Sequence, residues 1–399
     1  MRKKRSSKGQ LTKKICNLGV DMAMLRTFTR RLFIILNSLA VLFFLLACAN
    51  SFMQPGKWWI FSILGLFFPY LLLLVIVFFF VALFVRSLRR WSLLSFVTLL
   101  IGWTNIHSFL ALHPGNQFAP ERLPGSLRIL TWNVRSFDNF FDKRQPMRHR
   151  PKMMDFISSR QADVLCFQEF YEPLTRHGLE SNIFYIRTQL NYPYYYFSRD
   201  YTRPGLYQFG VAIFSRFPII DTTIRKYPRP FGFQTAESLI SADIVDGRDT
   251  IRVFTTHLQS VLFSPKEYHD IEIIKNVDDS IVDASRSIVK KLRDAFRRRG
   301  EQAQQVRAQL DSSPYPAFIT GDFNDVPNSY TYFTIRGGWR DAWLQKGFGI
   351  GRTFKNITPT LRIDYILADP RLKVLQCQKV YTLWSDHNPV EADLRLPSQ

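Results

Sequence analysis

Three long apolar stretches occupy the first third of the chain, and no other feature restricts its folding as much. They read LFIILNSLAVLFFLLACA (residues 32–49), WWIFSILGLFFPYLLLLVIVFFFVALFV (58–85) and WSLLSFVTLLIGWTNIHSFLAL (91–112). A bilayer core about 30 Å thick needs about 20 apolar residues of helix to cross it. The first stretch is near the minimum length. The second is ample, with Pro69 as a kink site. The third carries Asn105 and His107, so it either spans or lies in the interface. A cleaved signal peptide does not fit the first stretch, because a long basic region precedes it and two further apolar stretches follow.

The flanking charges orient this anchor. Arg2, Lys3, Lys4, Arg5, Lys8, Lys13, Lys14, Arg26, Arg30 and Arg31 precede the first stretch, and Arg86, Arg89 and Arg90 follow the second. Between the first two stretches, residues 50–57 hold only Lys57. Short cytoplasmic flanks collect Lys and Arg, so the N-terminus and the 86–90 loop are expected in the cytoplasm. With three spans, everything after about Pro114 is periplasmic or extracellular. If the third stretch does not span, the remainder is cytoplasmic. The net charge of +21 follows the same division. Residues 1–119 carry fourteen Lys/Arg against one acidic residue, Asp21, and the rest of the chain is only moderately basic. That remainder suits steering of a phosphate compound without implying nucleic acid. The expected organisation is a basic cytoplasmic tail (1–31), a membrane anchor (32–112), a Pro-rich polar linker (113–124) and a soluble domain (125–399). Cys16, Cys48, Cys166 and Cys377 have no metal-site spacing and read as buried free thiols, with a Cys166–Cys377 disulfide left open.

The soluble region shows short β-prone runs at residues 127–133, 162–168, 210–215, 251–257, 317–320, 363–367 and 390–394. Several are nearly continuous in apolar residues, as expected of strands buried on both faces. Helical spacing appears at 151–160 and over 268–310. In the latter, Ile288, Val289, Leu292, Ala295 and Phe296 share a face, with Lys290, Lys291, Arg293 and Arg297–Arg299 mostly elsewhere. That face reads as packed on a sheet, with the basic side solvated or touching anionic headgroups. Many strands with few helices imply packed sheets covered by helices.

Several strands end on polar residues that apolar packing does not require. Asn133 ends LRILTWN, Glu169 ends DVLCFQE and His257 ends IRVFTTH. Asp322 and Asn324 stand in GDFN, Asp364 in RIDYIL, and Asp386 with His387 in SDHNPV. One such residue is most often a turn former. As a set they join hard oxygen donors suited to Mg²⁺ or Mn²⁺ with two histidines suited to moving a proton and stabilising charge on phosphate.

These blocks, in this order and from about Leu127 to Leu394, resemble the endonuclease/exonuclease/phosphatase superfamily. The resemblance implies an α/β fold, a four-layered DNase I-like sandwich preceded by transmembrane helices. It also implies roles. Glu169 resembles the principal metal-binding carboxylate, helped by Asn133. Asp322 resembles the group that positions or activates water, with Asn324 beside it contacting phosphate. His387 is similar to the catalytic histidine, Asp364 to its carboxylate partner, Asp386 to an acidic residue at a second metal position, and His257 to a histidine near the scissile phosphate.

The expected activity is metal-dependent hydrolysis of a phosphodiester by attack of water on phosphorus. The motifs leave the substrate open between nucleic acid and a phospholipid headgroup. A phosphatase acting on a small soluble ester, and a non-catalytic membrane scaffold, are the alternatives. A nucleic-acid groove would draw on the aromatic run at 192–197 with Arg199, Arg203 and Arg229, and Arg203 and Tyr207 are the candidate substrate-binding residues. The aromatics otherwise read as core packing. Besides substrate, the expected partner is the lipid bilayer, with no obligate protein partner inferred.

Overall fold

The computed structural model describes residues 4–115, 117–138, 147–174, 181–228, 237–247, 249–261 and 281–396. They form two compact units, one of residues 1–49 and 66–104, the other of residues 50–65 and 105–399.

The apolar region folds as helices α1 (Lys4–Ala49), α2 (Pro55–Leu66), α3 (Phe68–Phe84), α4 (Arg89–Ile101) and α5 (Trp103–Phe109). Within α1, Met24–Ala49 is long and apolar enough to cross a membrane. The spans expected over 58–85 and 91–112 are each formed by a bent pair of helices. The second stretch breaks at Phe67, just ahead of Pro69, whose ring cannot follow a preceding helical turn without clashing with a carbonyl but suits the start of a new helix. The third breaks at Gly102 and leaves the helix before Ala111 and Leu112, which form strand β1. By length and composition there is thus, among the described residues, one candidate crossing helix, or up to three if each broken pair counts as one span. In the first unit, aromatic contacts such as Phe44–Phe68 and the Ser95–Asn37 hydrogen bond tie the helices together.

The second unit holds the remaining strands and helices. In chain order they are β2 (Leu127–Asn133), α6 (Arg150–Arg160), β3 (Val164–Pro173), α7 (Asn182–Thr188), β4 (Tyr194–Phe197), β5 (Tyr201–Arg203), β6 (Tyr207–Ser215), β7 (Ile219–Lys226), β8 (Ser238–Asp246) and β9 (Asp249–His257). There follow α8 (Ile281–Asp311), β10 (Ala317–Asp322), α9 (Tyr330–Arg336), β11 (Arg340–Asp341), α10 (Ala342–Lys346), β12 (Phe348–Gly349), β13 (Asp364–Ala368), β14 (Lys373–Lys379) and β15 (Val390–Arg395). The helical reading of residues 268–280 falls outside the described residues.

Two sheets result. One has six strands in the order β11-β13-β10-β9-β8-β7, the other seven, with β14-β15-β2-β3-β6-β4 in order and β5 on β6. Their inner faces meet in a core that includes Ile129, Cys166 and Ile213 from one sheet and Val253, Phe318 and Ile366 from the other. On the outer face of the seven-stranded sheet, Trp132, Phe167 and Phe214 pack with Met153 and Ile157 of α6 and Ile186 of α7. On the outer face of the six-stranded sheet, Phe254, Ile319 and Leu367 pack with Ala303 and Val306 of α8 and Tyr332 of α9. The order of layers is helix, sheet, sheet, helix, the four-layered DNase I-like sandwich. Strands buried on both faces explain the near-continuous apolar runs.

Cys166 and Cys377 are both buried free thiols, so no disulfide joins them. Tyr192 is a core residue whose hydroxyl donates to the Ala162 carbonyl. Residues 119–123 are bound to the domain: Arg128, wholly buried with Asp393, donates to the carbonyls of Ala119, Pro120 and Glu121. A buried guanidinium needs all its donors engaged, which explains why this segment lies against the sheet.

Candidate active site

Strand register assembles the site. β9 and β10 are parallel with Asp322 beside His257, and β10 and β13 are antiparallel with Asp322 beside Asp364. In the other sheet β2 and β3 are parallel, and their pairing ends at Asn133 and Gln168. The pairing of β3 with β6 shifts between Phe167 and Phe170, which places Glu169 in a bulge, a device that re-aims a side chain at a sheet edge.

Asn133 bridges the two sheets. Its Nδ2 donates to Glu169 Oε1 and to Asp322 Oδ2, each at 3.1 Å. The backbone N–H of Asn324 donates to Asp322 Oδ1 at 2.8 Å, and the Asn324 side chain donates to the Leu258 carbonyl. Both Glu169 (φ 51°) and Asn324 (φ 52°) are left-handed without being glycine, and residues 135–138 are a run of four more. Such conformations cost about 1–3 kcal/mol each and concentrate at functional sites.

His387 completes the cluster. Its Nδ1 lies 2.9 Å from Asp364 Oδ2, and its Nε2 lies 3.6 Å from Asp322 Oδ2. An aspartate acceptor fixes the proton on Nδ1 and leaves Nε2 facing the site. His257 Nε2 lies 3.7 Å from the same Asp322 oxygen. Both gaps exceed hydrogen-bond length, so both histidines flank Asp322 without binding it directly. Burial disfavours charge on His387, but the facing Asp364 and Asp322 outweigh it and push its pKa up to about 10. Burial raises Asp322, reinforced by Asp364, and burial also raises Glu169.

Asp322, Asp364 and His387 offer donor atoms within 4.8 Å of one another, the group among the described residues that could hold a metal ion. Glu169 joins it through the shared Asn133 amide. Two carboxylates pinned to one amide and made less acidic by burial are a donor set that fits a divalent cation. Asp386 stands beside this cluster: its Oδ2 lies 3.4 Å from Arg135 Nε, and its charge acts on both Glu169 and His387. Arg203 and Tyr207, facing each other in the β5–β6 ladder, are not drawn into the cluster. Tyr207 pairs with Pro173, four residues beyond Glu169 along β3, or ~13 Å of strand.

Supporting residues emerge that the strand-end pattern did not single out. Trp132 Nε1 donates to the His387 carbonyl, and Ser385 Oγ donates to the Asn133 carbonyl while accepting from the His387 N–H. Thr353 Oγ1 accepts from the backbone N–H of Ile363 and Asp364. Lys355 donates to the Thr382 carbonyl, and its pKa is lowered by burial to about 8. Only Ser385, inside SDH, and Arg135, two residues after Asn133, carry a signal in the sequence, by adjacency to the motifs.

Comparison with known proteins matches residues 130–387 to the endonuclease/exonuclease/phosphatase family and residues 30–109 to a domain of unknown function. No curated protein matches the chain. Among solved structures, the endonuclease/exonuclease/phosphatase from Beutenbergia cavernae is similar at 22% identity over 69% of this chain and 72% of its own, with a TM-score of 0.47. A family protein from Leptotrichia buccalis is similar at 17% identity over 68% of this chain and 100% of its own, with a TM-score of 0.48. The human Nocturnin catalytic domain with bound sulfate is similar at 16% identity over 69% of this chain and 97% of its own, with a TM-score of 0.46. The family match covers more than half of the chain, from Leu130 in β2 to His387 itself. The chain belongs to the endonuclease/exonuclease/phosphatase family.

Proposed function

We propose that this chain is a membrane-anchored, divalent-metal-dependent phosphoesterase that hydrolyses a phosphodiester by attack of water on phosphorus. The observation that carries the reading is the convergence of Glu169, Asn133 and Asp322 with the His387–Asp364 pair, from two sheets, at one set of strand ends. Glu169, Asp322 and Asn133 would hold Mg²⁺ or Mn²⁺, which would neutralise phosphate oxygens and stabilise the leaving oxygen. Asp386, paired with Arg135 and near enough for its charge to act on Glu169 and His387, would border that set.

The residues supply the rest. Asp322 is oriented by Asn133 and by the Asn324 N–H, and burial makes it a better base than a surface aspartate. It orients the attacking water and accepts its proton. His387, held protonated by Asp364 and Asp322, presents Nε2–H to the charge that grows on phosphate. His257 flanks the opposite side of Asp322.

The anchor is part of the same proposal. If Met24–Ala49 crosses the membrane, Asn50 emerges on the side opposite the N-terminus. Asn50 Nδ2 donates to the backbone carbonyl of Asn328, in the loop after β10. That supports a catalytic domain on the far side from the basic, cytoplasmic tail, which in a multi-pass protein requires residues 91–112 to span as well.

The test is hydrolysis of bis-p-nitrophenyl phosphate by the purified full chain. Activity is expected with Mg²⁺ or Mn²⁺, to vanish in EDTA, and to fall by orders of magnitude in Glu169→Ala and His387→Ala with unchanged circular dichroism. Full activity in either variant would sink the assignment.

A further inference from the structure

Two parts of the apolar region bind the catalytic domain beside its active site. The first is the turn after α1 together with α2. Asn50, Ser62, Gly65 and Asn328 form a buried polar knot: Ser62 donates to Asn50 Oδ1, Asn50 to the Asn328 carbonyl, and Asn328 Nδ2 to the Gly65 carbonyl. Gly65 is required there, because a Cβ would lie 2.2 Å from Asn50 Nδ2. The second is the end of α5. The Ser108 carbonyl accepts from Nη2 of Arg362, whose Nη1 is paired with Asp341, and all three residues are buried. Tyr365 links the two anchor points, its hydroxyl reaching the carbonyls of Asp325 and Arg362.

These points are close to the chemistry. Asn328 follows Asp322 by six residues and Arg362 precedes Asp364 by two. Six residues fully extended span at most ~20 Å, and two ~7 Å. The residues around the same segments are apolar and open. Phe52 is 74% exposed and Trp58 51%. Leu112 (59%) and Phe348 (62%) are partners in the β1–β12 ladder, so their side chains share a face. α2 has a cationic flank. Lys57 is exposed on α2, while Lys290 and Arg297 are exposed on the side of α8 that carries Gly300, where an added Cβ would lie 2.9 Å from Pro55. Arg293 lies between them but is paired with Asp294.

An aromatic and aliphatic patch with a basic rim is the composition that sits at a bilayer interface. The chain itself says what covers it. In sequence, Phe52 follows Ala49, the end of the candidate crossing helix, by three residues, and Leu112 follows Phe109, the end of the last apolar helix, by three. We propose that the catalytic domain docks on the bilayer through Phe52, Trp58, Leu112 and Phe348, and that the phosphodiester it hydrolyses is carried on a lipid headgroup. This rests on the phosphoesterase reading and narrows its substrate. Docking sets the loops after β10 and before β13 against the headgroup layer, so a lipid phosphate reaches Asp322 and His387 without leaving the membrane.

The experiment places the full chain in vesicles of phosphatidylcholine, phosphatidylglycerol and sphingomyelin with Mn²⁺. Release of lipid headgroups is compared with hydrolysis of bis-p-nitrophenyl phosphate and of single-stranded DNA. The expected result is lipid turnover that follows the mole fraction of lipid in the surface. Phe348→Glu and Leu112→Glu should reduce it at least tenfold while the nitrophenyl ester is hydrolysed as before. In parallel, bimane on Phe348→Cys in a Cys16→Ser background should be quenched by doxyl-labelled lipid. Hydrolysis of DNA or the nitrophenyl ester without lipid turnover, or an unquenched bimane, overturns the lipid proposal and leaves the phosphoesterase intact. Absence of hydrolysis of every ester overturns the phosphoesterase reading and the lipid proposal with it.

Discussion

Asp364 shows how much one side chain can decide. It fixes the His387 ring at 2.9 Å and, with Asp322, holds its charge. Asp364→Asn keeps the shape and removes the charge. Steady-state kinetics should show kcat reduced by about 10²–10⁴-fold, the usual worth of a positioned proton-transfer group, with the fold intact by circular dichroism. Glu169 and Asp322 make a second prediction, on stability. Both carboxyls are raised in the folded protein, chiefly by burial. A raised group contributes stability that is complete below its unfolded value, about 4, and is lost as pH rises through the folded one. His387, raised above its ordinary 6.5 to about 10, acts in the same direction at higher pH. In EDTA the melting temperature should therefore fall as pH rises from about 5 to 8. Mg²⁺ should restore it, with a larger increment at pH 8 than at pH 5. A constant increment across that range in differential scanning fluorimetry would contradict cation binding at these carboxylates.

Among the elements, β9 and β10 show why backbone contact matters as much as side chains. Gly321 has φ +133°, and a Cβ there would lie 2.0 Å from the Thr256 carbonyl oxygen. Only glycine lets the two parallel strands bring His257 and Asp322 side by side. Gly321→Ala is expected to lower stability by about 2–5 kcal/mol, combining strain and overpacking, as measured by urea unfolding. β8 shows the limit of pattern reading. SLISADIVD mixes polar and apolar residues, yet its first seven residues are buried. Ser241 is satisfied by Thr223 and Asp243 by Arg252, partners distant enough in sequence that no local pattern reveals them. β7 is equally hidden, because it is an edge strand and mostly exposed. The strands β2, β3, β6, β9 and β10 were legible because burial on both faces leaves a continuous apolar run.

At the scale of the whole molecule, a topology measurement separates the two placements of the domain. A membrane-impermeant maleimide applied to intact cells is expected to miss Cys16 in the basic tail, while a C-terminal tag should be accessible from outside. Access to Cys16 with a protected tag would reverse the orientation. The sequence by itself determined the family, the long apolar stretches ahead of it and several of the polar strand ends that the fold brings together, because strand burial and hard-oxygen chemistry leave local signatures at strand ends. It did not determine where the helices break or which residues the site residues meet. Gly102 divides a stretch that composition reads as continuous, and the helix ahead of Pro69 ends outright instead of kinking. Asp386 meets Arg135, a partner that no strand-end pattern names. The contacts of Asn50 with Asn328 and of Ser108 with Arg362 span more than 250 residues each. Such contacts depend on register and on the satisfaction of buried polar groups, and only the tertiary structure decides those.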